Sequence, residues 1–271
     1  MEPTHILTIA AKELRDRIRN RWVLAVAVVF AVFSLVIAYF GGAQQGTVGF
    51  RSLEFTIASL VSLVIYLIPL IALLLGFDAI VGERERGSLE LLLTLPITRL
   101  ELLLGKYLGL AAALALSTLA GFGLMAVLLL RRFSTAALLH FGGFMVSSVL
   151  LGMAFLSLAV LLSVLARDRA RASGLAIAVW FFFVLVFDLL MLGALVATGG
   201  AWVGASVAYV LLLNPADVFR ILNVLALEEV RTMYGLTSVV PAEFAQPWLL
   251  SGVMLVWIAV PLTLASWRFK P

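Results

Sequence analysis

Residues Glu83–Lys106 read ERERGSLELLLTLPITRLELLLGK, a charged and then leucine-rich stretch held between two long apolar runs. Unsatisfied polar backbone and side chains are costly in hydrocarbon, so a polar stretch between two spans lies outside the bilayer. Gly87 can end the helix that leaves the preceding run, and Ser88 is a good cap for a new one. Glu90 then falls in a first helical turn, where the helix dipole favours a carboxylate. Leu89, Leu92 and Leu93 share one face, and Pro96 stops the helix after about two turns. Thr98 and Glu101 form a Thr-x-x-Glu capping box that starts the next helix. The order is helix end, short transverse helix, break and helix start, punctuation that a plain solvated loop does not need.

The flanking runs define the class of chain. Hydrophobic residues make up 63% of the sequence and charged residues 13%, the balance of a polytopic membrane protein. A span needs about 20 mostly apolar residues, and six segments qualify, at about 22–40, 55–77, 107–130, 141–166, 172–197 and 248–267. The expected fold is therefore an all-α polytopic membrane protein in one transmembrane domain, residues 1–271. The first run starts only at Trp22 and is long enough to span, so it reads as a retained span and not as a cleaved signal. With the N-terminus inside, 14 of the 19 basic residues fall on the cytoplasmic side, as the positive-inside rule requires. Arg131 and Arg132 are the local exception. Both termini are then expected on the cytoplasmic side.

Ahead of the first span, Thr4 can cap a helix. Ile6, Ala10, Leu14 and Ile18 recur every four residues with basic residues on the other faces, the pattern of an amphipathic interfacial helix. The outer connection, 198–247, contains an apolar run, Ala201–Leu213, too short to cross. One or two short helices there dip into the outer leaflet or lie on it. After Asn214-Pro215, Val218, Ile221, Leu222, Leu225 and Val230 give Ala216–Tyr234 an apolar face. Asp217, Arg220, Glu228, Glu229 and Arg231 make its other side polar and are candidates for docking a partner on the outer side.

Several function classes drop out. The chain has no cysteine, which removes disulfides, thiolate metal sites and cysteine nucleophiles. His5 and His140 fall on opposite expected sides of the membrane, so no histidine metal site is expected within one chain. No Gly-x-x-x-x-Gly-Lys-Ser/Thr loop occurs, so this chain has no P-loop of its own. Gly121-Phe-Gly-Leu-Met-Ala126 imitates a dinucleotide fingerprint but sits inside a span without a preceding strand. Gly105-x-x-x-Gly109 allows close helix packing, within one subunit or between two. Asp188 is the lone acid in an apolar run and is the candidate path residue, since a carboxylate in hydrocarbon usually faces protein or water. Met125, Met145, Met153 and Met191 offer thioethers to a soft cargo, although scattered methionines more often fill core gaps.

Glu83, Gly87, Ser88-Leu89-Glu90, Leu92, Pro96, Arg99 and Lys106 together resemble the signature of type-2 ABC transporter permeases. The resemblance covers the whole chain, including the six-span layout, the N-terminal interfacial helix and the outer helices before the last span. It implies that Glu83, Gly87, Ser88, Leu89, Glu90, Leu92, Pro96 and Arg99 belong to a coupling helix between spans 2 and 3, seated on a cytoplasmic ATPase. It implies a homodimer in membrane lipid, no nucleic acid, no cofactor on this chain, and ATP with Mg on the partner ATPase. The coupling stretch and Asn214-Pro-Ala-Asp-Val-Phe-Arg220 are most similar to the branch that serves copper-site maturation of nitrous-oxide reductase. That similarity implies a periplasmic solenoid partner and a sulfur species or copper-related cargo. A general exporter permease for drugs, lipids or polysaccharide, and a non-transporting scaffold for a periplasmic assembly factor, remain the alternatives.

Overall fold

The computed structural model describes residues 2–40, 53–129, 135–199, 205–224 and 246–269. Among them there is helix and no strand, and six helices are long and apolar enough to cross a membrane. The all-α architecture expected from the sequence is the one found.

Helix α1, Pro3–Arg19, precedes α2, Trp22–Phe40. Thr4 does not cap α1. Glu2 occupies the cap position and Pro3 the first turn, because the fixed φ of proline suits a first helical residue. Arg21 takes a left-handed φ of 55°, which ends α1 and lets α2 leave in its own direction. Helix α3, Leu53–Gly76, carries Pro69 inside it. Two short helices follow, α4 at Val81–Glu85 and α5 at Ser88–Thr94.

Helices α6, Arg99–Leu129, and α7, Thr135–Leu165, are 31 residues each. At 1.5 Å per residue each is about 46 Å long, well beyond a hydrocarbon core of about 30 Å. Helix α6 begins at Arg99, directly after the start of the Thr98–Glu101 box, so its first two turns, ahead of the expected span at Tyr107, form a post at one end of the bundle. Helix α8, Arg169–Phe181, passes through a π turn, Phe182–Val186, into α9, Phe187–Ala197. Helices α10, Ala205–Leu211, and α11, Pro215–Val224, form a hairpin, and α12, Pro247–Arg268, completes the bundle.

The spans built on α3, α6 and α7 form the centre, with half or more of their residues buried. The other three are peripheral. Helix α1 packs along the post of α6. A Cβ on Gly105 would stand 2.6 Å from Ile9 Cβ, and one on Gly109 would stand 2.6 Å from the Ala10 carbonyl. The Gly-x-x-x-Gly pair therefore seats α1 of the same chain.

The α10–α11 hairpin enters from the end opposite α1. Trp257 Nε1 donates to the Leu212 carbonyl at 3.1 Å, and Asn214 Nδ2 donates to the Phe183 carbonyl at 2.9 Å. Trp257 lies midway along α12 and Phe183 midway along the fifth span, so the tip reaches about half depth. Of the expected helix Ala216–Tyr234, only the part to Val224 is described, and Glu228, Glu229 and Arg231 lie outside the described residues.

Candidate functional site

The first group of charges mounts α5. The break between α3 and α4 is satisfied by α7, where Ser163 Oγ accepts from Ile80 N at 2.9 Å and Val81 N at 3.0 Å. Arg84 Nη1 donates to the Ala166 carbonyl at 2.9 Å, just past the end of α7 and the favoured place for a cation. Arg169 Nη2 meets Asp78 Oδ2 at 2.8 Å, and its backbone N–H donates to Glu85 Oε1 at 2.7 Å. These residues tie three spans together at one end, a role that topology rules do not assign to them.

Lys106 is the hub. It is 6% exposed, and its Nζ lies 2.9 Å from Glu83 Oε1 and 3.4 Å from Glu13 Oε2. Glu13 also pairs with Arg17 at 3.1 Å, and the Ser88 hydroxyl donates to Glu83. The chain Arg17–Glu13–Lys106–Glu83–Ser88 thus bolts α1, α4, α5 and α6 together. Ser88 is not the cap of α5. Gly87 occupies that position with φ 69°, a left-handed conformation that favours glycine, and Ser88 turns back to Glu83. Glu13 was not among the residues singled out in the sequence, and its one signal is being an acid within a basic amphipathic helix.

Helix α5 stands on this mount. Leu89 is buried and Leu92 and Leu93 are partly buried, whereas Glu90, Leu91 (70%) and Leu95 (53%) are exposed. The helix ends at Thr94 with Leu95 extended, the conformation a residue before proline prefers. Pro96 and Arg99 are exposed. The Thr98–Glu101 box is reciprocal: Glu101 N donates to Thr98 Oγ1 at 3.2 Å and Thr98 N donates to Glu101 Oε2 at 2.7 Å. Glu101 Oε1 also accepts from Glu2 N at 2.6 Å, so the box anchors the start of α1 as well. A groove of about 270 Å³ runs between α1 and α5, past Ile9, Lys12, Leu92 and Leu95.

The second group lies within the bundle. Asn214 caps α11, its Oδ1 accepting from Ala216 N at 3.0 Å, and its Nδ2 donates to Asp217 Oδ2 at 2.8 Å. Arg220 binds Asp217 through Nη1 and Asp188 through Nη2, the latter at 2.8 Å. The sequence reading turned Asp217 and Arg220 outward as a polar docking face. The structure turns them inward: Asp217 is 1% exposed and Arg220 is 17% exposed at its side chain. Helix α11 is enclosed by the bundle, leaving no solvent side for its charges, and buried charges persist by pairing. Asp188 and Arg220 were separate candidates in the sequence, and the fold makes them partners. Met125 and Met191 are buried and Met145 and Met153 partly buried in the apolar core. Among the described residues no three of His, Cys, Asp and Glu converge as a metal site.

Six apolar helices, a short helix on a charged mount and a half-depth hairpin together define a multi-pass membrane protein. The sequence matches the model of the ABC-2 family transporter proteins over residues 7–271, and the chain belongs to that family. It is 46% identical over 271 residues to a protein of Pseudomonas aeruginosa named probable ABC transporter permease protein NosY, covering 98% of each chain. It is likewise 46% identical over 272 residues to the protein of that name from Stutzerimonas stutzeri, again covering 98% of each. The chain is an ABC transporter permease subunit and not an enzyme in its own right.

Proposed function

We propose that this chain is the membrane half of an ATP-driven transporter, paired with a second copy around a central path and driven by two cytoplasmic ATPase subunits. Exposed Glu90 and Leu91 on a helix with an ionically fixed root, and exposed Leu95 just past its end, carry this reading. An exposed apolar ridge beside a charge is the anatomy of a docking surface, and a rigid mount lets a push on α5 reach α1, α6 and the spans behind them. The orientation that follows from the basic residues places α5 and both termini in the cytoplasm of a bacterial cell. Helix α1 then lies in the inner leaflet interface, with Lys12, Arg15 and Arg19 toward the headgroups. Closure of the ATPases moves the two halves between inward and outward states as packed bodies. ATP and Mg reside on the partner.

Similarity to proteins named NosY extends the proposal to the system. The ATPase is of the NosF kind and the periplasmic partner of the NosD kind. The cargo is a sulfur species or copper-related material for copper-site maturation of nitrous-oxide reductase. Glu90→Lys and Leu91→Asp test the central claim. Both side chains are exposed, so Leu91→Asp alters stability by less than about 0.5 kcal/mol and Glu90→Lys by about 1 kcal/mol through the helix dipole, while co-purification of the ATPase and permease-dependent ATP turnover should fall together. Leu92 is a poorer test position because it packs on the core. Unchanged assembly and turnover in both variants would remove α5 as the coupling element. An ATPase that binds but shows no permease-dependent turnover would favour the scaffold alternative.

A further inference from the structure

The hairpin and the fifth span meet in an unequal way. Against α3, α7 and α12 the hairpin is built into the bundle. Trp257 of α12 bonds the Leu212 carbonyl, Ser147 of α7 bonds Asn223 at 3.0 Å, and Phe219 packs on Phe144 with ring centroids 6.1 Å apart. On the remaining side stands α9, which buries only Met191, while Leu189, Leu190, Leu192 and Val196 are 67%, 60%, 52% and 72% exposed. Its polar link to the hairpin is the two-pronged contact of Asp188 with Arg220, at 2.8 and 3.4 Å. Directly before α9 lies the π turn Phe182–Val186. Such a wide turn loosens the hydrogen-bond ladder and is a recognised place for a helix to bend.

We infer that Asp188 and Arg220 form a releasable clasp, and that Arg220 is a positioning residue which holds α9 against the hairpin until the transport cycle opens it. The asymmetry of the cluster permits release. When Asp188 leaves, Arg220 keeps Asp217, and Asp217 keeps Asn214, so neither buried group is stranded. Asp188 itself has no counterion after release and is tolerated only in water. The clasp therefore opens into a hydrated path and stays closed against a dry one, and α9 bends outward at the π turn. This rests on the proposed ATPase coupling for its drive but not for its geometry.

The absence of cysteine makes the test direct. Met191→Cys places a single thiol on the buried face of α9, and a charged, water-soluble thiol reagent reports whether water reaches it. The full chain is assayed with its ATPase in proteoliposomes, nucleotide-free and vanadate-trapped, and without the ATPase in membranes. Asp188→Asn added to Met191→Cys should raise the labelling rate about tenfold or more without nucleotide, as a tenfold larger open population would. Asp188→Glu, which keeps the ion pair, should label like the parent. Trapping should raise the parent rate similarly. Equal rates in the Asp188→Asn and parent chains overturn the clasp, whether or not the ATPase couples. Trapping that changes ATP turnover while leaving labelling unchanged overturns its release during the cycle and leaves ATPase coupling intact.

Discussion

Replacing Lys106 by methionine keeps most of the side-chain volume and removes the charge at the hub. The Nζ sits 2.9 Å from Glu83 and 3.4 Å from Glu13, with 8% of the side chain exposed. At an effective dielectric of about 20, the shorter contact is worth roughly 6 kcal/mol of Coulomb attraction before desolvation is subtracted. Removing one partner of a buried pair costs about 3–5 kcal/mol, because the remaining charge stays buried without its counterion. Here two carboxylates are left, but Glu13 keeps Arg17 at 3.1 Å and Glu83 keeps Arg86 at 3.8 Å. The lower figure, about 3 kcal/mol, therefore applies, and it raises the opening equilibrium of α4–α5 about 100-fold. Hydrogen exchange of peptides spanning Gly82–Leu95, with the permease in lipid nanodiscs, reads this directly. Lys106→Met should speed their exchange about 100-fold while α7 stays unchanged, and Lys106→Arg should stay close to the parent. Exchange of Leu89–Thr94 within about threefold of the parent in Lys106→Met would refute the idea that the ion chain holds α5.

Gly109→Ala drives a methyl to 2.6 Å from the Ala10 carbonyl. The strain of about 1–3 kcal/mol should lift α1 and quicken tryptic cleavage after Arg15, Arg17 and Arg19; unchanged digestion would place α1 elsewhere. Asn214→Ala removes the cap of α11 and the donor to Phe183. It should cost about 1–3 kcal/mol, measured as faster exchange over Leu212–Val224. Photocrosslinkers at Glu228, Glu229 or Arg231 should capture the periplasmic partner, and crosslinks confined to the permease would exclude docking there.

Features encoded by consecutive residues could be read from the chain alone. Span number follows from the length of apolar runs, because hydrocarbon thickness sets a minimum length. The Thr98–Glu101 box and the stop before Pro96 follow from local backbone geometry and three-residue spacing. Helix α5 was legible for the same reason, since its start, face and end lie within a dozen residues. Periodicity also revealed an apolar stripe on α11, but it could not show what surrounds the opposite side. Enclosure by the bundle, decided only in three dimensions, turned Asp217 and Arg220 from expected surface charges into buried ones. Charge partners were hidden likewise: Lys106 meets Glu13 across 93 positions and Arg220 meets Asp188 across 32. Removal from water forces such charges to pair, but which charges come within reach depends on helix rotation and depth, and those are fixed by packing against other helices.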